Sequence, residues 1–367
     1  MNQYILVMLW MVIIYIISKT VNVYQEEYVC GKKEVRVTWG FAIFCVMPLI
    51  WWTATRTRWF GDTDFYINAY EALPSTFGEI PEHIKNVEKD KGFSVLSILI
   101  KMVIGNNATF YLGILASIHI GALVVVFRKY SSNYIMALFL FVAATDYISW
   151  MHNGIRQFIA VVLIFAATGL ILKKKYVPLI AIIFLASTIH GSAILMLPIV
   201  FIVQGKAWNK KTMIAICAFV LAIVFVDKFT NLLGEVLVDT QNTNVVSDWQ
   251  GGGDDGTNPI RVFIYSIPTL LSLIGYPFIK AEKNPVINLA CNMAIISTML
   301  YCLSAVTSGI FIGRLPIYCS MYATGILLPW EVENMFKQES TRIIKILMLG
   351  CFTGFYYYQM HFGWGLI

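Results

Sequence analysis

Long apolar runs recur along the chain and constrain its fold more than any other feature. One of them, VTWGFAIFCVMPLIWWTAT, covers residues 37–55 without a charged side chain. A helix of about 20 apolar residues can cross the hydrocarbon core of a bilayer, which is roughly 30 Å thick. The runs are continuous rather than alternating, so they predict helices and not the strands of a barrel.

Composition agrees with this prediction, because 58% of the residues are hydrophobic and only 13% are charged. A soluble domain of 367 residues would need more polar surface. We predict an all-α polytopic membrane protein with about 12 transmembrane helices in a lipid bilayer. It forms a single integral membrane domain over residues 1–367. The first run lacks a basic start and a small-residue cleavage site, so it is predicted to be a retained span.

The cysteines and the net charge exclude several other classes. The seven cysteines have neither the spacing of a disulfide framework nor that of a zinc site. The net charge of +6 is attributed to lysines beside the membrane rather than to nucleic-acid binding. We therefore expect no zinc site and no nucleic-acid partner, and we predict no cofactor and no other metal.

Basic loops orient the helices, because cytoplasmic loops of membrane proteins carry an excess of lysine and arginine. This rule places in the cytoplasm the basic stretches within residues 19–36, 128–129, 173–175, 206–211, 280–283 and 337–345. Residues 56–106 then form an outer loop, and the short apolar stretch Gly92 to Gly105 within it is predicted to be an interfacial helix. Residues 228–258 form a second outer loop, whose glycine-rich tip suits a mobile lid.

Arginine is distributed differently from lysine. On the predicted cytoplasmic side the arginines are Arg36, Arg128 and Arg342, whereas the outer side carries Arg56, Arg58, Arg156, Arg261 and Arg314. Lysine suffices to orient a helix, but the planar guanidinium group suits bidentate binding of phosphate or carboxylate. The alternative is ordinary snorkelling of long side chains near span ends.

The apolar stretch of residues 177–204 is flanked by basic residues on both sides, which predicts a hairpin rather than a single crossing. Each arm would be roughly 18 Å long at 1.5 Å per residue, too short to cross the bilayer. The turn around His190 would then lie below the outer surface and line a cavity. A histidine at that depth is a candidate functional group.

These residues suit a reaction at the outer face on a donor already activated in the membrane, such as a sugar on a polyprenyl diphosphate. Arginines aimed at the leaving diphosphate would stabilise its growing charge, and a carboxylate or histidine could accept the proton of the acceptor hydroxyl. The candidates for the diphosphate are Arg56, Arg58, Arg156 and Arg314. The candidate bases are Asp62, Asp64, Asp90 and His190, and the candidate glycan contacts are Tyr66, Asn153, Gln157 and Tyr318.

Structural roles are the alternative for several of these side chains. Asp62 or Asp64 could cap a helix beginning near Phe65, and Asp90 could cap the interfacial helix. Asp64 is spaced for contact with Asn68 and has no obvious basic partner nearby. His152 is predicted to lie at the surface or the membrane interface.

Five short segments, in this order and spacing, resemble the motif series of the EpsG branch of the Wzy-type polysaccharide polymerases. They are Arg56 to Tyr66, Asp90 to Phe93, Asn153 to Gln157, His190 to Ala193 and Arg314 to Tyr318. The resemblance implies a GT-C-like glycosyltransferase of the bacterial inner (plasma) membrane. It would transfer a growing glycan from undecaprenyl diphosphate to the next lipid-linked repeat unit outside the cytoplasm, in exopolysaccharide, capsule or O-antigen biosynthesis.

The same resemblance assigns roles and partners. It implies that Arg56, Arg156 and Arg314 hold the diphosphate without a metal and that His190 lies in the active site. A flippase and a chain-length regulator of the same pathway are the expected protein partners. The alternative function is a flippase or transporter of lipid-linked oligosaccharide, although such a protein should show pseudo-symmetric halves and charge near the bilayer midplane. A membrane O-acyltransferase and a glycan ligase are further alternatives.

Overall fold

The computed structural model describes residues 3–226, 228 and 256–367. The protein is mostly helical, at 77%. Within these ranges three helices are long and apolar enough to cross a membrane, or five if each of two bent helix pairs forms one span, and four shorter apolar helices accompany them. The chain is therefore a helical membrane protein. The larger number of about 12 spans and the GT-C-like fold stay predictions.

The chain forms two compact units, one of Met1–Leu197 with Gln338–Ile367 and the other of Pro198–Lys337. Among the described residues, ten α-helices lie wholly within the Met1–Leu197 part of the first unit. They are α1 Gln3–Thr20, α2 Trp39–Ala54, α3 Thr63–Glu71, α4 Ile80–Asn86, α5 Lys91–Ile104, α6 Ala108–Tyr130, α7 Tyr134–Ala143, α8 Ile155–Ala166, α9 Thr168–Leu172 and α10 Tyr176–Ile189. Short 3-10 turns cover Phe77–Glu79 and Gly191–Leu195, and a π-helical segment covers Tyr147–Asn153.

The remaining described helices follow in chain order. They are α11 Met196–Ile202, α12 Lys210–Val224, α13 Pro259–Ile274, α14 Tyr276–Glu282, α15 Pro285–Ala305, α16 Ile317–Tyr322, α17 Leu328–Asn334 and α18 Gln338–Tyr358. A 3-10 turn covers Ile312–Arg314, and π-helical segments cover Ala323–Leu327 and Gln359–Gly363.

Asparagine residues begin several of these helices. An asparagine side-chain oxygen can accept from a backbone N–H of the first turn, which stabilises a helix start by about 1 kcal/mol. Asn107 does so for α6 and Asn133 for α7, with oxygen-to-nitrogen distances of 3.1 and 3.0 Å. Asn209, Asn258 and Asn284 cap α12, α13 and α15 in the same way.

A β-hairpin interrupts the helical pattern, so the prediction of an all-α chain is wrong for residues 24–37. Strands β1 Tyr24–Val29 and β2 Lys32–Val37 pair antiparallel, and the two-residue turn between them places Cys30 and Gly31 at positive φ. Arg128, at the end of α6, pairs with Glu27 of the hairpin and donates from Nε to the Val37 carbonyl at 2.7 Å. This arginine therefore joins the hairpin to α6 as well as supplying charge.

In the first unit α2 packs against α6, α6 against α8, and α8 against α10, which in turn contacts α5. Phe141 stacks on Phe158 where α7 and α8 meet, and Leu115 and Leu123 of α6 are fully buried. Helices in a bilayer associate mainly through such close packing. This packing brings the ends of α2, α5, α8 and α10 into one neighbourhood.

The predicted interfacial stretch forms helix α5, and Lys101 fastens it to α3. The Lys101 ammonium group is buried and donates to the carbonyls of Tyr70, Glu71 and Leu73 at 3.3, 2.8 and 2.6 Å. These carbonyls lie at the end of α3, where a cation is favourable. The position of α5 at the membrane surface stays a prediction.

The apolar stretch of residues 177–204 breaks at His190, where a turn is predicted. Helix α10 ends at Ile189, His190 is extended, and the 3-10 turn follows. The cavity at this turn stays a prediction. The predicted lid of residues 228–258 lies outside the described residues, apart from residue 228 and residues 256–258.

Candidate active site

Arg56 lies just beyond the end of α2, and its side chain is 5% exposed. Its Nε donates to the Thr63 hydroxyl at 2.9 Å and its Nη1 to the Thr53 carbonyl at 2.7 Å. The third nitrogen, Nη2, is buried and has no hydrogen-bond partner among the described residues. Burial lowers the pKa of Arg56 to about 10, so the group remains a cation at neutral pH.

A buried polar network holds the end of α2 beneath Arg56. The Thr53 hydroxyl lies 3.0 Å from the Tyr147 hydroxyl and 3.0 Å from His152 Nε2. The ring of Phe60 meets the His152 ring edge-on, with the ring centroids 5.3 Å apart. His152 is 1% exposed, so the prediction of a surface or interfacial histidine is wrong. The π-helical segment turns this side chain into the interior.

Asn153, the residue after His152, holds the other end of the loop that carries Arg56, between α2 and α3. The Asn153 side-chain oxygen accepts from the Asp62 backbone N–H at 2.9 Å. Gly61 has a φ of +48°, and a Cβ there would lie 2.5 Å from that oxygen. Asn153, predicted to contact the glycan, thus uses its side-chain oxygen to hold residues 61–62. A glycan contact by the remaining Asn153 amide stays a prediction.

Arg58 has a different environment, at the surface. It forms ion pairs with Asp64 at 3.2 Å and Glu71 at 2.6 Å and donates to the Asn68 side chain at 3.0 Å. Asp64, Asn68 and Glu71 are spaced to share one face of α3. The prediction that Asp64 lacks a basic partner is therefore wrong. The hydrogen bond that Arg58 donates to Asp64, and after it the one to Glu71, raises the pKa of Arg58.

Asp62 occupies the N-cap position of α3, but its side chain makes no capping hydrogen bond there. The carboxylate is exposed. The capping interpretation for Asp62 therefore rests on position alone, and its role as a base stays a prediction.

Arg156 is the second residue of α8 and pairs with Asp90, with Nη1 2.9 Å from Oδ2. The Arg156 guanidinium lies 6.0 Å from the centre of the Tyr66 ring. The Asp90 carboxylate makes no capping hydrogen bond to α5, although Asp90 occupies the N-cap position at a φ of 57°. Asp90 therefore contacts α8 through its side chain instead of capping α5. The Arg156 side chain remains 37% exposed, which leaves room for a ligand.

Helix α5 starts in close contact with the end of α10. A Cβ added to Gly92 would lie 2.2 Å from the Thr188 hydroxyl and 2.8 Å from the Thr188 carbonyl carbon. His190 follows two residues later, half-buried, with Nδ1 2.7 Å from the Ser192 hydroxyl. The absence of a side chain at Gly92 thus lets the segment with Asp90 approach the turn that carries His190.

The predicted glycan contacts are placed differently from one another. Tyr66 is 5% exposed, and its ring packs edge-on against Phe93 at 6.1 Å. Gln157 is also 5% exposed, within α8. Both side chains are therefore buried rather than on an open surface, and their contact with glycan stays a prediction.

Arg314 and Tyr318 belong to the second unit. Arg314 is exposed at the end of a 3-10 turn, and Tyr318 is 3% exposed in α16. Gly313 packs closely on Thr257, whose hydroxyl accepts from Ser304 at 2.8 Å. The turn carrying Arg314 is thus held against residues 256–257. Its participation with the arginines of the first unit stays a prediction.

Sequence reasoning missed the groups that hold the candidate arginines, namely the Thr53 carbonyl and the side chains of Thr63 and Glu71. The spacing of residues 64, 68 and 71 on one helix face could have identified the surface group around Arg58. Nothing in the local sequence distinguishes Thr63, which is fully buried, from the exposed Thr57.

A family model described as the EpsG family matches residues 41–363. The chain belongs to the EpsG family. The match covers every candidate residue from Arg56 to Tyr318 and begins after α1 and the hairpin. No curated protein and no solved structure matches the chain.

Membership in the EpsG family, which is a Wzy-like polymerase family, indicates a polysaccharide polymerase-like function in general terms. It agrees with the apolar helices, which indicate a membrane protein. For this EpsG family member, the cluster of Arg56, Tyr66, Asp90, Arg156 and the His190 turn is the candidate active site of the first unit.

Proposed function

We propose that this EpsG family member is a glycosyltransferase of the GT-C kind. It transfers a growing glycan from undecaprenyl diphosphate to the next lipid-linked repeat unit, on the extracytoplasmic face of a bacterial plasma membrane. The observation that carries the proposal is the contact of the half-exposed Arg156 with Asp90. A cation for the leaving group and a carboxylate for the acceptor proton lie side by side there.

In the proposed reaction, the bond between the anomeric carbon and the diphosphate oxygen breaks, and the electron pair leaves with the diphosphate. The acceptor hydroxyl forms the new glycosidic bond and loses its proton. Arg156 would donate to the diphosphate as its charge grows. Because that interaction draws Arg156 toward the phosphate, Asp90 becomes available to accept the proton.

The other candidate bases fit the proton transfer less well than Asp90 or have another role in the site. Asp64 is engaged by the surface residues Arg58 and Asn68. The partner of Asp90, in contrast, is the arginine that the diphosphate would draw away, so we favour Asp90 as the base. His190 is half-buried at the turn beside Thr188 and Gly92. We assign it to the walls of the same site, where it would contact the acceptor or the phosphate.

The decisive experiment supplies purified protein with lipid-linked repeat units and separates the products by size. We expect the wild type to produce a ladder of glycan lengths and Arg156→Ala to slow the reaction by about 100-fold or more. Arg58→Ala is the matched control, because Arg58 is also an arginine but is already paired with Asp64 and Glu71. An inactive wild type, or full activity in Arg156→Ala, contradicts the proposal.

The side of the membrane is tested separately by cysteine labelling in intact cells. Trp59, in the loop after α2, is 96% exposed, and Cys30 is exposed in the hairpin. In a chain whose other cysteines are replaced by serine, Trp59→Cys should react with an impermeant thiol reagent before lysis. Cys30 alone should react only after lysis. The reverse pattern would place the site in the cytoplasm.

A further inference from the structure

The Arg56 guanidinium is held at two of its three nitrogens by neutral oxygens. Thr63 Oγ1 accepts from Nε and the Thr53 carbonyl accepts from Nη1, whereas Nη2 has no partner among the described residues. The guanidinium is planar, so two fixed hydrogen bonds also fix the direction of the third nitrogen. A buried donor without a partner is costly and calls for an explanation.

Two consecutive residues anchor the two ends of the segment that carries Arg56. His152 contacts Thr53 at the end of α2, and Asn153 accepts from Asp62 at the start of α3. Thr63 is the first residue of α3 and is fully buried. The two oxygens that hold Arg56 are therefore themselves held, one through each end of the segment.

We propose that Thr63 is a positioning residue, which holds Arg56 by Nε so that Nη2 can bind a phosphate oxygen of the lipid-linked donor. This inference rests on the proposed function and adds to it a residue that does not touch the substrate. Thr63 acts only through Arg56. The Thr53 carbonyl is the second fixed support.

The charges around Arg56 support an anionic ligand. Its two partners are a hydroxyl and a carbonyl, and no carboxylate of the described residues forms an ion pair with it. The full positive charge therefore remains available to a ligand. A phosphate oxygen matches both the charge and the hydrogen-bonding capacity of Nη2.

The test compares substitutions at two threonines. Thr63→Val keeps the shape of the side chain but removes the oxygen that accepts from Arg56, whereas Thr63→Ser keeps that oxygen. Thr57→Val makes the same change at an exposed threonine of the same loop. We expect Thr63→Val to lower kcat/KM for the donor about tenfold, because Arg56 is misplaced. Thr63→Ser and Thr57→Val should have kcat/KM values close to that of the wild type.

A double-mutant cycle separates positioning from a general structural role. If Thr63 acts through Arg56, Thr63→Val should have no further effect on the rate in an Arg56→Ala background. A merely structural residue would lower the rate of that background as well. Additive losses, or wild-type kinetics in Thr63→Val, would overturn the inference.

Binding of undecaprenyl diphosphate to the purified protein gives a readout that does not require polymerisation. Thr63→Val should weaken this binding about tenfold and Thr63→Ser should restore it, while binding of phosphatidylglycerol should change in neither variant. Equal weakening for both lipids would indicate general phosphate binding and contradict a donor site. If the wild type makes no ladder but binding still depends on Thr63 through Arg56, the polymerase proposal fails and the positioning role stands. Size-exclusion profiles and melting temperatures identify any variant that fails to fold.

Discussion

Arg56 and Arg58 stand two residues apart in the same loop, yet the structure gives them opposite surroundings. Arg58 is exposed and is neutralised by Asp64 and Glu71, whereas Arg56 is buried among neutral oxygens with one nitrogen unpaired among the described residues. Exposed ion pairs such as those of Arg58 contribute little to the free energy of unfolding. A buried cation that keeps its charge is expensive to maintain. The comparison indicates that a candidate ligand-binding arginine is recognised by its partners rather than by its place in the sequence.

The largest effect is expected from Arg56→Ala. Removing a preorganised donor to a developing negative charge lowers the rate by about 10²- to 10³-fold. Arg56→Lys should recover little, because an ammonium group cannot hold Thr53, Thr63 and a phosphate in the same directions. Initial rates of ladder formation measure both variants. Substantial activity in Arg56→Ala would show that the buried arginine is not needed for the reaction, which contradicts the comparison.

The comparison extends to the carboxylates Asp90 and Asp64. Asp90→Asn keeps the size of the side chain but removes its basicity, so the rate should fall by about 100-fold. Asp64→Asn, the matched control, loses only part of the surface group around Arg58. Product ladders at saturating donor measure the difference. Equal losses would show that the two carboxylates are not distinguished by their partners.

A smaller effect is expected where α5 meets α10. Gly92→Ala would force a Cβ against Thr188, and overpacking of this kind destabilises a protein by about 1–3 kcal/mol. We also expect a rate loss of about tenfold, because Asp90 and Arg156 would shift apart. Gly121→Ala, within α6 and with nothing close to its Cβ, is the control. Melting temperature and rate should both fall in Gly92→Ala only.

The smallest effect is expected from Arg58→Ala. Its partners Asp64 and Glu71 are exposed and remain hydrated when Arg58 is lost, so the rate should change by less than about threefold. The same assay measures it. A loss as large as that of Arg56→Ala would mean that the exposed arginine contributes to the reaction as much as the buried one does.

Several features of the fold could be predicted from local sequence. Continuous apolar runs predict helices, and the chain is mostly helical. The break at His190 follows from basic residues on both flanks of one apolar stretch. These features depend on neighbours in the chain, and local rules of hydropathy and charge describe them adequately.

The features that escaped prediction depend on distant contacts. The hairpin lies in a stretch too polar for a span, and Arg128, about 100 residues away, secures it through Glu27. His152 looks like an interfacial residue until the π-helical segment turns it toward Thr53. Likewise, only the folded chain distinguishes Thr63 from Thr57. A hydropathy pattern carries no information about the direction of a side chain or about its partners far away in the sequence.

The π-helical segment Tyr147–Asn153 places two consecutive side chains at opposite ends of one loop. An insertion or deletion within that segment would displace both anchor points together. The interior of the loop, Thr57 to Trp59, is exposed and attached to neither anchor. Substitutions at those three positions should therefore leave both anchors in place.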